Sequence, residues 1–130
     1  MIYTFKLSLS PGTEAETPAV SKIDLTVGVL KTIEIMYPAG CAGQVGVRIK
    51  ERERVIFPSN PDEWFIDDDR VIRWTENYKI LPQHTRFKLE GYNEDDTYTH
   101  TVYFRFNILE AATVAVPISS GVESLLAELV

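Results

Sequence analysis

Tyr98-Thr-His-Thr-Val-Tyr-Phe-Arg-Phe-Asn-Ile108 decides the reading of this 130-residue chain. Tyr98, His100, Val102, Phe104, Phe106 and Ile108 stand at every second position, separated by Thr99, Thr101, Tyr103, Arg105 and Asn107. A repeat of two sends successive side chains to opposite faces of an extended backbone, whereas a helix would bring apolar residues back at three and four. The stretch is therefore a half-buried β-strand. The same alternation recurs in Tyr3, Phe5, Leu7 and Leu9, in Ile23, Leu25 and Val27, in Ile33, Ile35 and Tyr37, in Val45, Val47 and Ile49, and in Phe87 and Leu89. Val55-Ile-Phe57 adds a shorter strand. Trp64-Phe-Ile66 and Val71-Ile-Arg-Trp74 flank Asp67-Asp-Asp-Arg70, which predicts a hairpin with an acidic turn. Pro11-Gly12, the Pro38–Gly43 hexapeptide and Pro58-Ser-Asn-Pro61 supply the breaks. Short strands at turn-marked intervals of roughly ten residues predict an all-β fold, a single antiparallel β-sandwich of about eight strands, jelly-roll or Ig-like in type.

The alternation stops near Glu110, dividing the chain into a sandwich domain over 1–110 and a C-terminal arm with a short helix over 111–130. Ala111–Gly121 carries no charge and is rich in small and β-branched residues, with Pro117 barring a full ladder on both sides. Beyond it Val122, Leu125, Leu126, Leu129 and Val130 fall on one helical stripe, and Ser120 and Glu123 have the Ser-x-x-Glu spacing of a capping box. A helix this short falls below the roughly 12 to 15 residues needed for stability alone in water, so it requires a surface to pack against. Those five apolar residues are the candidate interface.

Composition narrows the function. A net charge of −6, from 19 acidic and 13 basic residues, disfavours nucleic acid and anionic membranes as partners. The densest basic group, Arg48, Lys50, Arg52 and Arg54, is broken by Glu51 and Glu53 and reads as a solvated strand face. Cys41 is the single cysteine, so no internal disulfide forms. The start of the chain shows no signal-peptide pattern, and no stretch is apolar for long enough to span a bilayer, which predicts a protein that is not secreted.

No catalytic motif is present: there is no Gly-x-Ser-x-Gly elbow, no P-loop and no Rossmann glycine pattern. The reading is of a non-enzyme with no cofactor and no metal. Two acidic groups, Asp62/Glu63 with Asp67–Asp69 and Asn93–Asp96, lack the spacing of a calcium loop and are expected to be polar turns. His84 and His100 have no second histidine or cysteine at ligand spacing. Trp64, Trp74, Tyr78, Tyr92, Tyr98 and Tyr103 are expected in core and strand positions, with a sugar-binding face as the alternative.

Ile33–Gly43, Val55–Pro61 and Gly91–His100 together resemble small β-rich accessory proteins of tailed bacteriophages and prophages, of decoration, tail or neck type. The resemblance spans roughly Ile23 to Ile108 and rests on turns and strands. It implies a structural component of the virion, made in the host cytoplasm, assembling with itself or with a larger protein lattice such as a capsid or tail. The alternative function is a carbohydrate- or ligand-binding sandwich, calcium-dependent if the acidic loops take part.

Overall fold

The structure, a computed structural model, describes residues 1–60 and 62–110. These residues form nine strands and no helix: β1 (Ile2–Leu9), β2 (Ala19–Asp24), β3 (Gly28–Tyr37), β4 (Val45–Glu51), β5 (Arg54–Phe57), β6 (Phe65–Ile66), β7 (Arg70–Ile80), β8 (Arg86–Asn93) and β9 (His100–Glu110). The expected arm and helix, with Val122, Leu125, Leu126, Leu129 and Val130, lie outside the described residues.

The strands build two packed antiparallel sheets. The first, sheet A, has the order β1-β9-β3-β7; the second, sheet B, has the order β2-β8-β4-β5, with β6 also pairing to β4. Successive strands mostly alternate between sheets, and partners such as β1 with β9 and β2 with β8 come from opposite ends of the chain. This is the connectivity of a jelly roll, two interleaved Greek keys, and it settles the choice between the two sandwich types.

The core follows from the alternation. Val102, Phe104, Phe106 and Ile108 of β9 are fully buried and meet Leu7, Leu9, Ile33 and Ile35 of the same sheet and Val45, Val47, Ile49, Phe87 and Leu89 of the other. Gly28 lets β3 begin against β9: at φ 155° it sits where an added Cβ would lie 2.2 Å from the Leu109 carbonyl oxygen. A bulge between Leu30 and Thr32 then shifts the register of β3 against both its neighbours.

One expectation is corrected. Phe65–Ile66 and Arg70–Ile80 do not pair as a hairpin. The former joins β4 in sheet B and the latter joins β3 in sheet A, so the acidic turn carries the chain from one sheet to the other. Both segments have one apolar face, and those faces meet across the sandwich: the Phe65 and Trp74 rings pack at 5.0 Å between centroids.

Candidate assembly surfaces

β7 is one of the two edge strands of sheet A, β1 being the other. Eleven residues long, it pairs with β3 on one side, and among the described residues no strand lies beyond it. Such an edge offers a row of backbone donors and acceptors to another chain. Its inward residues Ile72, Trp74, Glu76 and Tyr78 are only half-buried, because the facing edge of sheet B consists of the short β5 and the two-residue β6. An open groove of about 320 Å³ remains there, lined by Phe57, Pro58, Phe65, Ile72, Trp74 and Glu76. Phe57 meets both Trp74 and Tyr78 edge-on at 5.5 and 5.7 Å. Trp74 Nε1 donates to Glu76 Oε1 at 3.2 Å, which holds the indole along the groove.

The outer face of sheet B is ionic. The register sets Lys22 of β2 opposite Lys88 of β8, and Lys88 opposite Lys50 of β4, so three lysines lie in a row across three strands. Like charges directly opposite one another destabilise a sheet. Two glutamates offset them. Glu90, buried, accepts from Arg48 Nε at 2.9 Å and lies 3.4 Å from Lys50 Nζ. Glu53 pairs with Lys88 and lies 3.8 Å from Lys50 Nζ. The hydrogen bond from Lys88, aided by the charges of Lys88, Lys50 and Lys22, holds the Glu53 carboxyl below the usual glutamate range. Glu53 reaches this position from the two-residue turn Arg52-Glu53 between β4 and β5, where Arg52 adopts φ 56° and donates from Nη2 to the Gln83 carbonyl at 2.6 Å. A groove of about 340 Å³ opens beside the row, lined by Lys22, Arg52, Glu53, Arg86, Phe87 and Lys88.

Farther along the same face, Tyr92 lies over Gly46. An added Cβ at Gly46 would stand 2.2 Å from Tyr92 Cε2, so the ring occupies space that only glycine leaves. Trp64 packs edge-on against Tyr92 at 5.0 Å, and the Arg48 guanidinium sits 4.1 Å above the Trp64 ring.

The end of the sandwich beyond β8 is organised by Asn93. It is fully buried and donates from Nδ2 to the Leu9 and Tyr98 carbonyls at 3.0 and 2.9 Å, while Oδ1 accepts from the Asp95 amide at 3.0 Å. Asp95 accepts from the Thr97 amide at 2.9 Å, the Tyr98 amide at 3.3 Å and His100 Nε2 at 2.9 Å. The Thr97 bond foremost, then His100, keeps its carboxyl below the usual aspartate range. The side chains of Asn93 and Asp95 thus close a turn, as expected, and His100 is buried against Asp95. Among the described residues no three His, Cys, Asp or Glu side chains converge on a common metal position.

The sequence-predicted aromatics separate. Trp74 and Tyr78 face inward on β7, Trp64 and Tyr92 lie on sheet B, Tyr103 is on the opposite outer face, and the exposed Tyr98 precedes β9. They do not form one platform. Cys41 is buried, and burial followed by the nearby Asp68 charge pushes its thiol pKa up, which disfavours the thiolate. The lysine row was hidden in the sequence, where Lys22, Lys50 and Lys88 lie far apart; only the strand register brings them together.

No protein-family model matches the chain, and no curated protein matches it. Among solved structures it is similar to PliG of Aeromonas hydrophila, a periplasmic inhibitor of g-type lysozyme, with TM-score 0.45, 8% identity, and coverage of 83% of this chain and 86% of that one. It is also similar to the Yersinia pseudotuberculosis-derived mitogen, with TM-score 0.43, 8% identity, and coverage of 84% and 86%. PirA matches with TM-score 0.42, 9% identity, and coverage of 81% and 94%. At these values the likenesses carry no argument about activity.

Proposed function

We propose that this chain is a non-enzymatic structural protein of a viral particle, a capsid decoration or a tail or neck component. In this reading it assembles with itself or with a larger lattice through its sandwich and its C-terminal arm. The observation that supports the reading best is β7, an eleven-residue edge strand beside a half-covered aromatic groove, which no further strand covers among the described residues and which offers backbone donors and acceptors to a neighbour. The jelly roll is used by viral capsid domains and by lectins alike, so the fold is analogy and favours neither. The six aromatics lie on different faces and so give no single broad platform for sugar stacking.

The arm carries the test. Residues 111–130 would dock Val122, Leu125, Leu126, Leu129 and Val130 on a neighbour, each worth roughly 1.5 to 3 kcal/mol when buried, before ordering costs. A chain ending at Glu110 is expected to keep its β-rich circular dichroism and to lose its oligomer in light scattering. An unchanged oligomer removes the arm from the assembly, and an unfolded product shows that it packs on its own sandwich.

A further inference from the structure

Charge is segregated along the length of the sandwich. One end gathers the β1–β2 loop, the β3–β4 loop, the β6–β7 turn and the β8–β9 loop. These are tied together by the Thr13–Asn93 bridge, by the Glu94 amide donating to the Gln44 carbonyl at 2.9 Å, and by the Gly40 amide donating to Asp68 Oδ1 at 3.0 Å. Its exposed side chains include Glu14, Glu16, Asp68, Asp69, Glu94 and Asp96, against which Arg70 is the exposed cation. The other end gathers the β2–β3, β4–β5 and β7–β8 connections, joined by Leu25 to Thr85 at 2.9 Å and by Arg52 to Gln83. It carries Lys22, Arg52, Arg54, Lys79, Arg86 and the half-buried Lys88, with Asp24 and Glu53 as its exposed acids.

We infer that copies of this chain associate head to tail, the acidic turn at Glu94 and Glu14 of one copy seating on the lysine row and groove of the next. The inference rests on the assembly reading above and names its geometry. Opposite ends of one molecule make a heterologous contact, which closes into a ring or extends as a filament according to its rotation. Glu53 then has a definite role. It is an exposed carboxylate held over Lys50 and Lys88 on a turn with a left-handed arginine, so it fills the position that an incoming carboxylate would take. The lysine row is thus compensated from within in the free chain and from without in the assembly. Glu14 and Glu94 flank the antiparallel Thr13–Asn93 bridge on its two sides, and both are exposed at the acidic end.

The test uses the full chain in sedimentation velocity. Raising salt from about 0.01 M to about 1 M shortens the screening length from ~30 Å to ~3 Å and is expected to dissociate the assembly. K22E/R86E, which cancels the excess positive charge of one end, and E14K/E94K, which removes most of the negative charge of the other, are each expected to lose association at least tenfold while keeping the native circular dichroism. An equimolar mixture of the two recovers it. E53Q, which removes the internal competitor, strengthens association several-fold at low salt. The inference falls if either reversed variant associates like the parent, if the mixture stays monomeric, or if E53Q leaves association unchanged. Charge variants without effect, beside a 111–130 truncation that dissociates, would overturn the head-to-tail contact and leave the arm standing; the reverse pattern would do the opposite.

Discussion

Replacing Asn93 by alanine is expected to be among the costliest polar substitutions in this domain. The side chain is fully buried and makes three hydrogen bonds, to the Leu9 carbonyl, the Tyr98 carbonyl and the Asp95 amide. The bond to Leu9 is itself buried, so N93A leaves that carbonyl without a donor at roughly 1 to 3 kcal/mol. The bonds to Tyr98 and Asp95 are partly buried, water can replace them in part, and each contributes roughly 0.5 to 1.5 kcal/mol net. The sum is about 2 to 6 kcal/mol, a large fraction of the roughly 5 to 15 kcal/mol that holds a domain together. Urea unfolding followed by far-ultraviolet circular dichroism reads it directly: the midpoint falls while the slope stays constant. N93D is the companion. It preserves an acceptor for the Asp95 amide but turns carboxylate lone pairs toward two carbonyls, so it destabilises at neutral pH at least as much as N93A and recovers on acidification. A loss under about 1 kcal/mol for N93A, or a milder effect of N93D at neutral pH, would refute the view of Asn93 as the hub joining β1, β8 and the acidic turn.

Gly46→Ala drives a methyl into Tyr92 and is expected to cost about 1 to 3 kcal/mol by overpacking, with a shift in Trp64 fluorescence as the Trp64–Tyr92 contact opens. Asp95 has a depressed carboxyl pKa, so its stabilisation is present above the ordinary aspartate value of about 3.9 and is lost as pH falls through the lower native value; the stability gap between the parent and D95N is therefore constant near neutrality and closes below about pH 4. Ellman's reagent is expected to leave Cys41 unmodified in the native protein and to titrate one thiol after unfolding in urea; rapid native labelling would contradict its burial. Lys22→Thr removes one member of the lysine row in favour of a good strand former and is expected to stabilise the free chain by roughly 0.2 to 1 kcal/mol in thermal melts while weakening association.

The strands were legible because burial imposes a period of two. In Tyr98–Ile108 the inward set Val102, Phe104, Phe106 and Ile108 is the set the alternation names, and Tyr98 alone falls outside the strand, exposed on the turn that Asn93 and Asp95 close. Pairing was not legible. An apolar face says that a segment packs, not which sheet it joins, so Phe65–Ile66 and Arg70–Ile80 read as neighbours although they face each other across the core. In a jelly roll most hydrogen-bonded partners are distant in sequence, and β4 with β5 is the one consecutive hairpin among the described strands. The basic face was concealed for the same reason. Read along the chain, Arg48–Arg54 is a diluted alternation of both signs; read across the sheet, its Lys50 belongs to a column with Lys88 and Lys22.

That column bears on what kind of surface sheet B presents. Three lysines in direct cross-strand register weaken the isolated fold, and the compensation comes from one buried glutamate and from one exposed glutamate on a turn that places arginine in a left-handed conformation. A surface shaped for monomer stability alone would use a neutral strand former at one of these positions and glycine at the turn. Instead the molecule gathers Lys22, Arg52, Arg54, Lys79, Arg86 and Lys88 at one end and the exposed carboxylates of Glu14, Glu16, Asp68, Asp69, Glu94 and Asp96 at the other. The arrangement is unfavourable for a chain alone, since each end repels itself, and becomes favourable when one end meets the other, because each then supplies the charge its partner lacks.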